Sequence, residues 1–210
     1  MSNLKYHDET LELSGRHVMI ARIISRLTPA PLINLYVGII MIYYSPLGLG
    51  PYLDPIGALL ICIFVMVILP IAPILLEVFR GNTDLDVSVQ ESRAKFFAFS
   101  LVCYAFAYSI YWIGECDIMR VLAAAYLTVT TGVMIANEVI KVSVHGAGVG
   151  GPGTALLYVY GWLALPVVLV WVAVIWSRTA LKQHTLMQAV AGVALGVLIT
   201  VLTYLILYPL

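Results

Sequence analysis

An uncharged apolar run is the feature that most restricts how this chain can fold. Residues 55 to 76, PIGALLICIFVMVILPIAPILL, contain no Asp, Glu, Lys or Arg, and about 20 apolar residues in a helix are enough to cross the hydrocarbon core of a bilayer. Of all residues, 62% are hydrophobic and only 10% are charged, whereas about half of a soluble domain is apolar. The sequence therefore predicts an all-α, polytopic integral membrane protein.

The apolar runs and their breaks predict about seven membrane-spanning helices. Five candidate spans are clear: about 30–47, 54–79, 94–114, 117–142 and 185–208. Between them, Gly161 and Pro166 favour a turn near 161–163 and two short spans, about 145–160 and 163–178. If this stretch is instead one long tilted helix, the chain has six spans.

The N-terminal segment, 1–29, differs from the single transmembrane domain predicted for 30–210. Residues 11–28 mix apolar side chains with Arg16, Arg22 and Arg26, a pattern typical of a helix that lies along the membrane surface with its arginines toward the head groups. Pro29 and Pro31 follow this segment. We therefore expect an amphipathic interfacial helix before the first span.

Positive charge predicts the orientation of the spans. With seven spans, ten of the 11 Lys and Arg residues fall on the side of the N-terminus, and cations are enriched in cytoplasmic loops. The opposite side has only Arg120. The ten are Lys5, Arg16, Arg22, Arg26, Arg80, Arg93, Lys95, Lys141, Arg178 and Lys182. This face is therefore predicted to be cytoplasmic.

Three polar clusters interrupt the apolar runs, in residues 84–94, 141–145 and 177–188. Ionisable groups at membrane depth are costly and need a partner or a function. Each cluster also has a simpler explanation: Lys95 and Arg178 can anchor helix ends at the head groups, and Glu138 can pair with Lys141. The seven-span arrangement places all three clusters on one side of the membrane, where they can form one site.

The residue types in these clusters are those that phosphoryl transfer requires. An Arg guanidinium binds two phosphate oxygens at once and Lys adds a point charge, while two histidines can divide the tasks of nucleophile and acid. The glycines that follow His145, beginning with Gly146, leave backbone N–H groups able to meet an anion at a helix start. The combination favours a phosphate site.

The spacing in the third cluster resembles that of the membrane-bound type 2 phosphatidic acid phosphatase superfamily, which is related to the vanadium haloperoxidases. The third motif of that family is Ser-Arg, five residues, His, three residues, Asp. The stretch SRTALKQHTLMQ matches it at Ser177, Arg178 and His184, with Gln188 in the place of Asp. This is the most specific of the three matches.

The other two motifs of that family are met in part. The second, Pro-Ser-Gly-His, corresponds to VSVH, which keeps Ser143 and His145. The first, Lys, six residues, Arg-Pro, corresponds to DVSVQESRA, which keeps Arg93 and has Asp86 and Ala94 in the places of Lys and Pro. The resemblance extends over about residues 80–196.

This resemblance implies a metal-independent lipid-phosphate phosphohydrolase that needs no cofactor. The resemblance then implies that His184 is the nucleophile that becomes phosphohistidine, and that His145 is the acid that protonates the leaving oxygen. Gln188 would orient His184, and Lys141 would replace the missing Lys of the first motif. The implied phosphate-binding groups are Arg93, Arg178, Lys141, Ser143 and Gly146. The implied substrate is a polyprenyl (di)phosphate or a glycerolipid phosphate.

Other functions are compatible with the same residues. Because Gln188 carries no charge, a lipid-phosphate binder or carrier without turnover is the main alternative. A zinc enzyme that uses His145, His184 and Glu138 is another, although no HExxH-like spacing is present. A channel or transporter is a third. The formal net charge is zero, which gives no indication of nucleic acid binding. The expected partners are membrane lipids and the lipid substrate, and the oligomeric state stays open.

Overall fold

A computed structural model describes residues 6–208, and within that range the chain is helical with no strands. Residues 1–5, which include Lys5, and residues 209–210 lie outside the described residues. After a 3-10 turn at His7–Leu11, the α-helices are α1 (Arg16–Leu27), α2 (Ala30–Tyr44), α3 (Pro55–Phe79), α4 (Arg93–Ile113), α5 (Asp117–Val139), α6 (Val144–Tyr160), α7 (Val167–Ala180) and α8 (Leu186–Leu207). The predicted all-α class is confirmed.

Four of these helices are long and apolar enough to cross a membrane: α3, α4 with the turn before it, α5 and α8. A fifth span results if α1 and α2, which meet at an angle of 57°, form one broken span. The break between α6 and α7 occurs where Gly161 and Pro166 predict it. However, these two helices have 17 and 14 residues, fewer than a spanning helix ordinarily needs. The described residues therefore establish four or five candidate spans, and the count of seven is not confirmed.

Helix α3 contains a π-helical section, Cys62–Ile68, just before Pro70. Proline has no N–H, so Pro70 cannot donate to the carbonyl of Met66 four residues earlier. The Asn34 side chain of α2 supplies the missing donor, with its Nδ2 3.1 Å from the Met66 oxygen. An amide buried in an apolar core is stabilised only with such partners. This hydrogen bond therefore ties α2 to the middle of α3.

Helices α6 and α8 pack with their backbones in direct contact. A Cβ atom added at Gly150 would lie 2.5 Å from the Val193 oxygen, and one added at Gly196 would lie 2.7 Å from the Ala147 oxygen. No larger side chain fits at such distances, which is the usual reason for small residues between membrane helices. The contact brings the start of α6, with His145, close to the start of α8.

Helix α1 packs against α7. Val18, Ala21 and Ser25 are buried in this contact, and Ser177 Oγ donates a hydrogen bond of 3.0 Å to the Ala21 oxygen. The position of α1 at the membrane surface is not confirmed.

Two arginines of α1 have ion-pair partners that the sequence pattern does not indicate. Arg22 pairs with Asp8, and Arg26 pairs with Glu9, so acidic side chains of the preceding turn neutralise both cations locally. Asp8 is itself buried, and a buried carboxylate needs such a partner. These two arginines therefore hold the N-terminal turn against α1, and their contact with lipid head groups stays a prediction.

Candidate functional site

The three polar clusters of the sequence meet at one end of the helix bundle. The first precedes α4, the second lies between α5 and α6, and the third lies between α7 and α8. The charges of Arg178, Arg93 and Lys141 all lower the pKa of His184, and this effect requires proximity. Residues separated by up to about ninety positions therefore share one site.

Arg93 is anchored by oxygen atoms of the neighbouring loops. Its Nε lies 2.8 Å from the Val87 oxygen, and its Nη1 lies 3.3 Å from Asn137 Oδ1 and 3.4 Å from the Val142 oxygen. None of these partners is charged, and the side chain is 4% exposed. A buried guanidinium that is held by neutral acceptors keeps its positive charge available for an anion.

Arg178 is held by the N-terminal helix and by the loop before α4. Its Nη1 donates to Ser25 Oγ at 2.7 Å and lies 3.0 Å from Asp86 Oδ1. Both side chains of the ion pair are 3% exposed. The Nε of Arg178 is buried with no hydrogen-bond partner among the described residues. A buried donor without a partner is costly, so this guanidinium has capacity for a further acceptor.

His145 is the second residue of α6, two positions after Ser143, which caps the helix. Ser143 Oγ accepts the N–H of Gly146 at 3.1 Å, and the Ser143 N–H donates to the Gln188 backbone oxygen at 3.2 Å. In this structure the Gly146 N–H and the Ser143 hydroxyl are thus bonded to each other, an ordinary N-cap. Their use in phosphate binding stays a prediction.

His184 lies in the short loop between α7 and α8 and is 7% exposed. Burial is the largest cause that lowers its pKa to about 3, and the charge of Arg178 follows. Its Nδ1 is buried with no hydrogen-bond partner in the described part of the chain. The imidazole is consequently neutral at pH 7, the form that can attack an electrophile.

Gln188 has a structural task beside His184. Its Oε1 accepts the Thr185 N–H at 3.1 Å, and its own N–H donates to Thr185 Oγ1 at 3.3 Å. This is a complete capping box at the start of α8. The Gln188 side chain also raises the pKa of His184, but less than the burial and the three cations lower it. A neutral amide thus lies at the position where the motif that this stretch resembles has Asp.

Lys141 lies in the loop between α5 and α6, where it is partly buried. Burial lowers its pKa, and the positive charge of Arg93 lowers it further. The second effect reflects a cation held close to another cation, an arrangement that an anion relieves. The loop therefore adds a third positive charge to the site.

An apolar cavity of about 310 Å³ opens beside these groups. Arg93, His145 and Asp86 line its polar end. From there it continues between α2, α3, α4, α5 and α6, where its walls include Phe96, Phe97, Val129, Val133, Tyr104 and Tyr126. Arg178 and His184 do not line it. Its volume and composition are those of a small-molecule site, with the charged groups at one end only.

No three His, Cys, Asp or Glu side chains lie within reach of one metal ion in residues 6–208. Glu138, the carboxylate that a zinc site would need, is exposed at the end of α5. Zinc in a catalytic site takes three protein ligands. The described residues therefore offer no ligand set for the metalloenzyme alternative.

Two residues of the site carry no chemical signal in the sequence. Ser25 contacts Arg178 from α1, and Asn137 contacts Arg93 from α5. For Asn137, the sequence indicates only that an amide lies near the end of an apolar helix, where a buried polar group needs a partner. Nothing in the sequence separates Ser25 from the other serines.

Lowering the pH should destabilise the protein through His184. The unfolded imidazole takes a proton near pH 6.5, whereas the folded one takes it only near pH 3. Between these values the unfolded state binds more protons, so the free energy of unfolding decreases as the pH falls, by up to about 1.4 kcal/mol per pH unit. Thermal unfolding in detergent between pH 6 and pH 4 measures this loss. His184→Asn should lose less stability than wild type, and equal losses would contradict the assignment.

No protein family, curated protein or solved structure matches this chain.

Proposed function

We propose that this protein is an integral membrane lipid-phosphate phosphohydrolase that acts through a phosphohistidine intermediate. The observation that supports it is the proximity of two histidines and three cations beside an apolar cavity, whose lining includes Arg93 and His145. The cations suit a phosphate and the cavity suits the apolar tail of its ester. A polyprenyl (di)phosphate or a glycerolipid phosphate combines both.

The proposed reaction has two steps. A bound phosphate dianion favours the protonated form of His145. A nitrogen of His184 then attacks phosphorus, the bond to the lipid oxygen breaks, and the protonated His145 gives its proton to that oxygen as the lipid alcohol, or the lipid monophosphate in the case of a diphosphate, leaves. Water then attacks the phosphohistidine, His145 takes a proton from this water, and inorganic phosphate is released. Arg93, Arg178 and Lys141 stabilise the negative oxygens during both steps.

The neutral His184 is consistent with the first step. An imidazole whose pKa is lowered to about 3 needs no base to become nucleophilic at pH 7. The same shift has a cost, because the attacking nitrogen gains positive charge and Gln188 has no charge to stabilise it. We therefore expect slower turnover than an enzyme with Asp at this position provides.

A binder or carrier of lipid phosphates is the second candidate, and two observations favour it. The Gln188 Oε1 is already engaged in the helix cap, and Arg178 already has a carboxylate partner. Release of inorganic phosphate from a panel of lipid phosphates, measured with purified protein, separates the two. A hydrolase releases phosphate and is inhibited by vanadate, whereas a binder returns the lipid intact.

The proposed topology has seven spans with the site on the cytoplasmic side. The turn at Gly161–Ala164 supports it, because α7 returns the chain from that turn to the end where His145 lies. Single cysteines at Asn82 and Lys182 should then react with an impermeant thiol reagent only after the membrane is opened. A cysteine at Tyr52, at the other end of α3, should react from outside without such treatment. Reaction of Asn82→Cys from outside would overturn the orientation, and opposite sides for the first two would favour six spans.

A further inference from the structure

The carboxylate of Asp86 lies between the apolar cavity and Arg178. On one side Asp86 lines the cavity together with Arg93 and His145. On the other side its Oδ1 lies 3.0 Å from Arg178 Nη1, and Arg178 does not line the cavity. Its second oxygen accepts the backbone N–H of His7 at 3.4 Å. A phosphate that enters from the cavity therefore meets Asp86 before it reaches Arg178.

A carboxylate and a phosphate are both anions that a guanidinium attracts through its positive charge and its N–H groups. Asp86 Oδ1 lies at ion-pair distance from Arg178 but accepts no hydrogen bond among the described residues. Asp86 is tethered to the chain, so it competes with a free anion as if it were present at high concentration. Its side chain is also 3% exposed, so it has little water around it to compensate for leaving Arg178. A free phosphate thus has a competitor that is always present.

We propose that Asp86 is an internal anion that occupies the phosphate position at Arg178, and that a substrate phosphate binds by replacing it. The proposal rests on the proposed function, which makes phosphate the ligand of this site. Asp86 then determines specificity, because an anion must bring additional binding free energy to replace it. Apolar burial in the adjacent cavity supplies this for a lipid phosphate. Inorganic phosphate and small soluble esters lack an apolar tail and bind weakly.

A phosphate can also interact with more cations of the site than Asp86 does. Arg93 and Lys141 lie close enough to His184 to lower its pKa together with Arg178. An incoming phosphate therefore meets three positive charges. Among the described residues, Asp86 forms an ion pair with only one of them, Arg178. A phosphate has more oxygens than a carboxylate and can engage more of the cations at once.

The test is the affinity for inorganic phosphate, measured by calorimetry and by the phosphate dependence of Tm in detergent. Asp86→Asn removes the competing charge and nearly keeps the shape. We expect it to bind phosphate at least about tenfold more tightly than wild type. Phosphate should also raise its Tm more, because the anion restores a partner to the buried Arg178.

Two matched variants identify the cause. Glu138→Gln neutralises an exposed carboxylate at the end of α5 and should leave phosphate affinity at the wild-type value. Asp86→Glu keeps the charge and should keep the weak affinity.

Asp86→Ser repeats the test if Asp86→Asn does not accumulate. Unchanged or weaker phosphate binding in a folded Asp86→Asn or Asp86→Ser protein would overturn the proposal. If neither variant folds while Asp86→Glu does, the proposal is also wrong, because a carboxylate required for folding cannot yield to phosphate.

The test is distinct from that of hydrolysis. Tighter phosphate binding by Asp86→Asn without phosphate release by wild type would support the internal anion and indicate a binder. Phosphate release by wild type, with no gain in affinity from Asp86→Asn, would support the hydrolase and exclude the internal anion.

Discussion

Replacing His184 with Asn should reduce phosphate release from a lipid phosphate by at least about a thousandfold. Loss of a nucleophile that forms the covalent intermediate removes the reaction path, and what remains comes from binding and charge alone. The imidazole is 7% exposed and lies near three cations. The measurement is phosphate release at saturating substrate, with wild type and variant at equal concentration.

His17→Asn is the matched control, because it makes the same replacement at an exposed histidine of α1. It should keep wild-type turnover. His184→Asn should still bind lipid phosphate, since Arg93, Arg178 and Lys141 remain. Turnover within about tenfold of wild type would exclude His184 as the nucleophile, and loss of lipid-phosphate binding together with turnover would indicate a folding defect.

The helices were predictable because their signals are local in sequence. Apolar runs identify α3 and α5, and the glycine and proline near 161–166 identify the turn between α6 and α7. The number of spans was less predictable. Helix α6 is rich in glycine for close packing on α8, so its length and composition reflect helix contact more than lipid contact, and hydropathy alone cannot separate these two demands.

The partners of the site residues were not predictable from the sequence. Asp86 and Arg178 are separated by 92 positions, and their ion pair depends on how the loop before α4 meets the end of α7. Likewise, the sequence does not indicate that Arg22 pairs with Asp8. Patterns of charge along one helix report which face is polar. They do not report which opposite charge the fold brings to that face.

The prediction that the three polar clusters lie together depended on how the helices are connected. The structure brings the clusters together at one end of the bundle. Close packing of α6 on α8 explains how, because it places His145 beside the loop that carries His184. The chemical roles of these residues are a separate matter. Proximity of charges restricts the possible ligands, whereas a role as nucleophile or acid needs a measurement of rate.

Replacing His145 with Asn should reduce hydrolysis of lipid phosphates by about 10²–10⁴-fold, the usual contribution of a general acid. The lipid alcohol is a poor leaving group, with a pKa near that of water at about 16, so it needs a proton as the bond to phosphorus breaks. A phenol needs this help much less, because its pKa is about 10. The variant should therefore lose less than about tenfold in kcat/KM for phenyl phosphate, since this constant reports the steps up to departure of the leaving group and not the later attack by water.

The two substrates together separate the histidines. His184→Asn should lose activity on both, since a nucleophile is needed whatever group leaves, while His145→Asn should lose activity mainly on the lipid phosphate. His17→Asn should lose neither activity. If His145→Asn reduces kcat/KM equally for the two substrates, His145 does not protonate the leaving oxygen. Its place at the polar end of the cavity would then indicate a role in holding phosphate, which a raised KM at unchanged kcat would reveal.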